Sequence, residues 1–172
     1  MKPIYKYALR LFLTMTILMF IFYLTIAYLW DDEINIIVFV IKSIPFGIFM
    51  SIITTKMHAH GLRDAGITEF TNENLKPFAE SRIKSAITPE EIVDNLKTNT
   101  MYNHVRSNGN CIYCKSPMSI YSFGEKIEIE TIKKDNNLYS YQVKSKSIFG
   151  LTLADYGKNR KNVNKIINII FA

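Results

Sequence analysis

The 172 residues carry a net charge of +6 and include only two cysteines. Once the apolar N-terminal third is set aside, the remaining length is enough for one soluble domain of modest size. One cysteine pair supplies only two of the four ligands of a structural zinc site, and the basic charge comes with no nucleic-acid reader motif.

Two apolar runs open the chain and predict a transmembrane helical hairpin over residues 1–56, with spans at about 11–30 and 34–55. Each run is about 20 residues long, which as a helix matches a hydrocarbon core of about 30 Å. The alternative is that the first run is a secretory signal peptide. It is longer than the apolar core of such a peptide, and Thr25-Ile26-Ala27 is a poor cleavage site.

The flanking charges predict the orientation of the hairpin. Basic residues precede the first span and follow the second, whereas the connection between the spans is acidic, at Asp31, Asp32 and Glu33. Because positive charge is retained on the cytoplasmic side of a membrane, we expect both termini in the cytoplasm. The basic residues are Lys2, Lys6, Arg10, Lys56 and Arg63.

The second span has two unusual features. Small side chains recur every four residues and predict a packing face, against the first helix or against a second copy of the chain. Lys42 is a candidate functional residue inside the membrane, paired with Tyr23, with Thr25 or with another subunit. The alternative is that its long stem snorkels toward the acidic connection. The candidate packing residues are Ser43, Gly47, Ser51 and Thr55.

The part of the chain after the membrane hairpin is predicted to be a connector over residues 57–83 and a cytoplasmic α+β domain over residues 84–172. The second membrane helix can extend past Lys56 before a glycine ends it. A short helix over residues 72–81 is considered, although Pro77 opposes regular structure there.

The domain is predicted to combine helices with an antiparallel sheet. Thr88 can cap a helix over residues 89–97, and Glu91 can bond back to the capping residue. From residue 101 onward apolar and polar residues alternate, and short connections imply an antiparallel meander with a turn at Asp135-Asn136-Asn137. The predicted strands cover residues 111–114, 119–123, 126–132, 138–146 and 149–154.

An amphipathic helix follows Tyr156-Gly157 and lays one apolar stripe, from Val163 to Ile170, on the sheet. Cations in its first turns oppose the helix dipole, so we expect either Asp155 or an anionic partner to offset them. This basic helix and two strand lysines form the predicted contact surface for a protein or for anionic lipid. The residues are Lys144, Lys146, Lys158, Arg160, Lys161 and Lys165.

The order of these elements resembles small bacterial membrane proteins with a pleckstrin-homology-like (PH-like) domain, the YcxB-like group. The likeness rests on Phe123-Gly124-Glu125-Lys126-Ile127, Tyr139-Ser140-Tyr141-Gln142-Val143 and Asp155-Tyr156-Gly157-Lys158-Asn159, followed by the final helix. It implies a bacterial inner-membrane protein whose domain binds or scaffolds, and it transfers no site residue. A complete domain of that kind has more strands than can be placed here, so we expect an incomplete barrel or an open sheet.

No combination of residues indicates catalysis, so we expect a non-enzymatic protein without metal or cofactor. Cys111 and Cys114 are three apart on one predicted strand, which directs their sulfurs to opposite faces. His58 and His60 are two apart, a spacing that does not share a helix face. The alternatives are metal or redox chemistry at the cysteines and a surface metal site or proton sensing at the histidines. The sequence contains no glycine-rich phosphate loop.

The leading hypothesis is an integral membrane protein that anchors a protein- or lipid-surface-binding domain and has no nucleic-acid partner. One alternative is a small subunit of a membrane complex that acts through the hairpin, including as a homo-oligomer. Another is an immunity-type protein that blocks a toxin at the membrane.

Overall fold

The computed structural model describes residues 1–31, 33–119, 122–135, 138–149 and 152–171. Within these residues the chain is α+β, with two long helices, a five-stranded antiparallel sheet and two shorter helices. It divides into a first unit, residues 1–60 and 69–75, and a second unit, residues 61–68 and 76–172. The elements are α1 (Pro3–Leu29), α2 (Ile36–Asp64), β1 (Phe78–Ser85), α3 (Pro89–Thr98), β2 (Asn103–Asn108), β3 (Cys111–Lys115), β4 (Glu125–Asp135), β5 (Leu138–Ser147) and α4 (Lys158–Phe171).

The first unit consists of α1, most of α2 and residues 69–75. These helices are 27 and 29 residues long, and by length and composition both could cross a membrane. As expected, α2 continues past Lys56. It ends at Asp64, two residues before Gly66, which adopts a left-handed φ of +85° that favours glycine.

The second unit is built on an open sheet with the strand order β1-β5-β4-β3-β2. All four neighbouring pairs are antiparallel, and β1 and β2 form the two edges. Inward-facing residues of the strands make the core together with one face each of α3 and α4. Fully buried members of this core are Ile92, Leu96, Ile127, Ile129, Tyr141, Val143, Val163 and Ile166.

Both helices of the second unit begin where the sequence predicts. The side chain of Thr88 accepts a hydrogen bond from the amide of Glu91 at 3.3 Å, and the Glu91 carboxylate accepts one from the amide of Thr88 at 2.8 Å. This capping box is confirmed, and α3 packs against β2 and α4. The final helix begins at Lys158, directly after Tyr156-Gly157.

The strand predictions are partly wrong. The helix considered over residues 72–81 is wrong, since residues 72–77 form turns and bends and β1 begins at Phe78. The inward-facing residues of β1, such as Ala79, are too small or too few to give a strong apolar signal. Ser119 and Ser122 form only an isolated bridge, with residues 120 and 121 outside the described part. Residues 149 and 152–154 lie in no strand, and residues 150 and 151 are not described. The turn residues Asn136 and Asn137 are also outside the described part, although Asp135 and Leu138 on either side are paired.

Candidate binding surface

The side of the sheet turned away from α3 and α4 carries most of the strand charges, and we call it the outer face. Successive side chains of a strand point to opposite faces. The predicted alternation in β4 is confirmed, since Ile127 and Ile129 are fully buried whereas Glu128 and Glu130 are half-buried on the other side. The outer face is therefore polar and accessible.

Three lysines lie directly opposite one another at one end of the outer face. Lys115 of β3 is the cross-strand partner of Lys126 of β4, which is in turn the partner of Lys146 of β5. We call these three residues the lysine row. Within the described part of the chain none of them forms an ion pair. Like charges directly opposite each other destabilise a sheet, so the row opposes folding.

The next position along the same face is balanced in charge. Tyr113, Glu128, Lys144 and Glu80 are successive cross-strand partners there. The Nζ of Lys144 also lies 3.4 Å from Oε2 of Glu130. The lysine row, by contrast, has no acidic cross-strand partner at its own position, since it continues to Asn103 on one side and to Phe78 on the other.

A cleft of about 390 Å³ adjoins the lysine row on the side of β2. The register of β2 shifts between Asn103 and Arg106, and His104 within this irregularity has a left-handed φ of +56°. Guanidinium and ammonium groups are hydrogen-bond donors only, which suits anionic oxygens. The cleft is lined by His104, Arg106, Tyr113, Cys114, Lys115 and Lys126.

Tyr113 is the aromatic residue of this end of the outer face. The Nζ of Lys126 lies 5.1 Å from the centroid of its ring, a cation–π contact. The contact holds the ammonium group over the sheet without neutralising its charge. Lys126 therefore stays available to an anion.

The two cysteines point to opposite sides of β3. Cys114 is buried in the core, and burial raises the pKa of its thiol to about 12, which keeps it protonated at neutral pH. Because the thiolate is the nucleophile and the metal ligand, this thiol is suited to neither role. Among the residues that the structure describes, no three His, Cys, Asp or Glu side chains are grouped to hold a metal ion. His58 is buried in the first unit, with its ring centroid 5.1 Å from that of Tyr7.

The six predicted contact residues do not form one surface. Lys144 and Lys146 lie on the outer face, whereas the other four belong to α4, which packs on the core side. The helix cations are engaged within the second unit. Arg160 Nη1 donates to a backbone carbonyl of β1 at 3.5 Å, Lys161 Nζ lies 3.3 Å from an Asp64 carboxylate oxygen, and Lys165 contacts a methionine sulfur at 3.7 Å.

Lys158, the first residue of α4, is held in a buried polar network. Its Nζ lies 3.3 Å from Oε2 of Glu125, a side chain that is only 1% exposed. Glu125 also accepts hydrogen bonds from the hydroxyls of Ser116 and Ser122 and, at 3.2 Å, from Nδ2 of Asn162. A buried carboxylate needs such compensation. These side chains, together with the neighbouring Asp155, Asn159 and Ser145, form a connected set that we call the polar network. Its members are Ser116, Ser122, Glu125, Ser145, Asp155, Lys158, Asn159 and Asn162.

Asp155 caps α4. Its carboxylate oxygens accept hydrogen bonds from the amides of Asn159, at 2.9 Å, and Gly157, at 3.2 Å. Asn159 is fully buried and its Oδ1 accepts a hydrogen bond from Ser145 at 2.7 Å. The sequence offers two groups that could offset the cations at the start of α4, Asp155 or an anionic partner. In the structure Asp155 takes this role within the chain, and Glu125 adds a second carboxylate through its ion pair with Lys158.

The predicted helix-packing residues lie in the first unit. Ser43, Gly47 and Ser51 are buried, and Thr55 is half-buried. A β-carbon on Gly47 would overlap the hydroxyl of Thr16 in α1. This stripe of small residues therefore faces α1 within a single chain, which is one of the two partners considered.

Lys42 is exposed on α2. The two side chains considered as its partners make other contacts. The ring of Tyr23 stacks on Phe39, with centroids 5.9 Å apart, and the hydroxyl of Thr25 donates to the carbonyl of Ile21 at 2.9 Å. A pairing of Lys42 with either residue is therefore absent from the described contacts.

Comparison with known proteins gives no family. No family model matches the chain, and no curated protein matches it significantly. The open antiparallel sheet with its closing helix is consistent with a PH-like domain. Membership of the YcxB-like group stays a prediction.

Sequence reasoning missed Lys115 and Lys126 as members of the candidate binding surface, and it missed the polar network as a unit. The lysines emerge only when the pairing of three strands is known. The network had a local signal: Asn159 and Asn162 precede Val163 and Ile166 at positions that continue the buried stripe of α4. Polar residues on a buried helix face require partners.

Proposed function

We propose that the chain is a two-span integral protein of the bacterial inner membrane, with both termini in the cytoplasm. Its second unit is a non-enzymatic domain that binds an anionic partner surface, either a protein or lipid. The membrane location carries the proposal, and the charge distribution of the second unit supports its binding role.

The observation behind the membrane location is the exposure of apolar side chains on α1 and α2. In the most apolar 18-residue windows of these helices, only 11% and 17% of the residues are buried. The core helix of a soluble protein would be mostly buried. Soluble proteins rarely expose large contiguous apolar patches, whereas a bilayer removes apolar side chains from water.

The orientation is supported by charge on both sides of the hairpin. Cations flank the apolar segments at the start of α1 and the end of α2, while the connection carries Asp31 and Glu33. The positive-inside tendency then gives two cytoplasmic ends.

A binding role rather than catalysis is supported by the state of the reactive groups. The Glu125 carboxylate is saturated by Lys158, two serine hydroxyls and Asn162, and the Cys114 thiol is buried. A general acid or a nucleophile must instead reach a substrate. The exposed groups at the lysine row are donors that suit ionic binding.

The test uses the full chain expressed in bacterial cells. We expect the protein to stay with the membrane after alkaline carbonate washing. A fluorescent protein fused to either end should fluoresce in the cytoplasm, and alkaline phosphatase inserted after Asp31 should be active outside it. Release by carbonate, or the opposite pattern of reporters, would contradict the proposal.

A further inference from the structure

The end of the second unit that holds the lysine row also exposes large apolar side chains. Ile148 follows β5 on the outer face, and its amide donates to the carbonyl of Gly124 at 3.2 Å. Phe123 and Phe149 meet edge to face, with ring centroids 5.1 Å apart, and remain 64% and 60% exposed. Met118, which lies with Phe123 in the connection between β3 and β4, is 70% exposed. We call Met118, Phe123, Ile148 and Phe149 the apolar rim.

The lysine row and the apolar rim are neighbours because of the sheet topology. Lys115 ends β3, Lys126 is the second residue of β4, and Lys146 is the last but one of β5. Two of the connections at this end of the sheet, residues 116–124 and 148–157, carry the apolar rim. Cations and apolar groups therefore lie at the same end of the sheet, which we call the amphipathic edge.

The chain also enters the second unit at this end. Gly61, the first residue of the unit, packs so closely on the backbone of Tyr156 and Gly157 that a β-carbon on it would overlap the Tyr156 carbonyl. Lys158, next in the chain, donates to Pro117 O at 3.2 Å in the β3–β4 connection. Gly61 comes only six positions after residue 55, the end of the predicted second span.

We propose that this edge docks on an anionic lipid surface, with the lysine row on headgroup phosphates and the apolar rim in the interfacial region. The inference rests on the proposed membrane location. Basic side chains next to exposed aromatic and aliphatic groups are the features by which peripheral elements bind anionic bilayers. Because Gly61 comes only six positions after the end of the predicted second span, such lipid stays at high effective concentration.

Lipid explains both parts of the edge, whereas a nucleic-acid duplex explains only one. The phosphodiesters of a duplex would pair with the lysines, but its bases are already stacked and would leave Phe123 and Phe149 in water. Lipid headgroups supply the same phosphate chemistry together with an apolar layer a few ångströms deeper. The amphipathic edge is distinct from the basic face of α4, whose cations are engaged within the unit.

The experiment reports the surroundings of residue 149 in the full chain. Trp30, the only tryptophan, is replaced by phenylalanine, and Phe149→Trp places the reporter in the apolar rim. The protein is reconstituted into vesicles of phosphatidylcholine alone or with about a third phosphatidylglycerol. In the anionic vesicles we expect blue-shifted emission, quenching by lipids brominated on the acyl chain, and reversal by high salt.

Two triple variants with the same change in net charge test the role of the lysine row. Lys115→Gln, Lys126→Gln and Lys146→Gln should together lower the ratio of docked to undocked protein roughly a hundredfold, since each lysine near an anionic surface contributes a factor of about five. The control replaces Lys84, Lys97 and Lys133, which are exposed elsewhere on the unit, and should preserve docking.

The outcomes separate the two proposals. Loss of the protein from vesicles on carbonate washing would overturn the membrane location itself. Retention with the same emission in neutral and anionic vesicles would overturn only the docking. So would equal effects of the two triple variants, and so would a blue shift without quenching by brominated lipid, because that result indicates contact between copies. The docking proposal would also be overturned if an added oligonucleotide abolished the blue shift of the reporter by competing with lipid for the edge.

Discussion

The second unit uses the same type of cation in two opposite ways at one end of its sheet. On the core side, Lys158 is paired with the buried carboxylate of Glu125 at 3.3 Å. On the outer face, Lys115, Lys126 and Lys146 face one another with no ion pair in the described part of the chain. The comparison shows why the number of cations on an element is a poor guide to binding. A cation that is already paired is part of the fold, and an unpaired one held against like charges is free to bind.

The two regions should also differ in how they contribute to stability. Removing one partner of a buried ion pair is strongly destabilising, because it leaves the other group uncompensated. Removing one of several repelling charges on an exposed sheet is neutral or stabilising. The variants below test this difference, from the largest expected effect to the smallest.

Glu125→Ala should give the largest effect. It removes the acceptor of the Lys158 ammonium, of Asn162 and of two serine hydroxyls. We expect a loss of about 3 kcal/mol in the free energy of unfolding of the second unit. The loss is measured by chemical unfolding of the full chain in detergent, with hydrogen exchange of the β4 and β5 amides as the observable. The matched control is Glu128→Ala in the same strand on the outer face, where a change below about 1 kcal/mol is expected.

Gly157→Ala attacks the same region through the backbone. Gly157 has φ +72°, and a β-carbon there would overlap the carbonyl of Gly61. We expect a loss of about 2 kcal/mol, from the left-handed conformation plus the clash. Gly109→Ala is the control, since Gly109 has a similar φ of +58° with no atom within 4 Å of the added carbon. Its cost should be about 1 kcal/mol. Equal losses would show that the contact with Gly61 is loose.

The sequence predicts most elements but not the partners that give the charges their roles. The capping box of α3, the alternation of β4 and β5 and the stripe of α4 are local patterns, and all are confirmed. The partners of the α4 cations are distant in the chain. Asp64 lies 97 positions from Lys161, and only the folded chain brings the two together.

The pairing of the strands shows where a local pattern stops short. A two-residue turn between Asp135 and Leu138 would pair odd-numbered residues of β4 with even-numbered residues of β5, and so inward with outward residues. A bulge between Thr131 and Lys133 shifts the register by one and restores the match. This shift places Lys126 opposite Lys146. The alternation in both strands required such a bulge, but it did not fix where the bulge lies.

Lys126→Gln tests the outer face of the comparison. Lys126 stands between the other two lysines, so its neutralisation removes both repulsions. We expect the second unit to gain about 0.5 kcal/mol in stability, after the loss of the contact with the Tyr113 ring is subtracted. The same variant should dock less well on anionic vesicles. Lys84→Gln, also on an exposed strand position, should change neither quantity measurably. A destabilised Lys126→Gln protein would mean that the lysine row is compensated in the fold.

Added salt should produce the smallest change in stability. It should distinguish the lysine row from the polar network without any substitution at the polar network. Screening weakens repulsion between exposed charges but reaches a buried pair much less. Raising the ionic strength from about 0.01 M to about 0.15 M should therefore stabilise the unaltered second unit by a few tenths of a kcal/mol. The Lys126→Gln protein should gain less, because its repulsion is already relieved. Equal gains in the two proteins would place the salt-sensitive repulsion elsewhere on the unit. The lysine row would then not be the site where like charges destabilise the sheet and remain free to bind an anion.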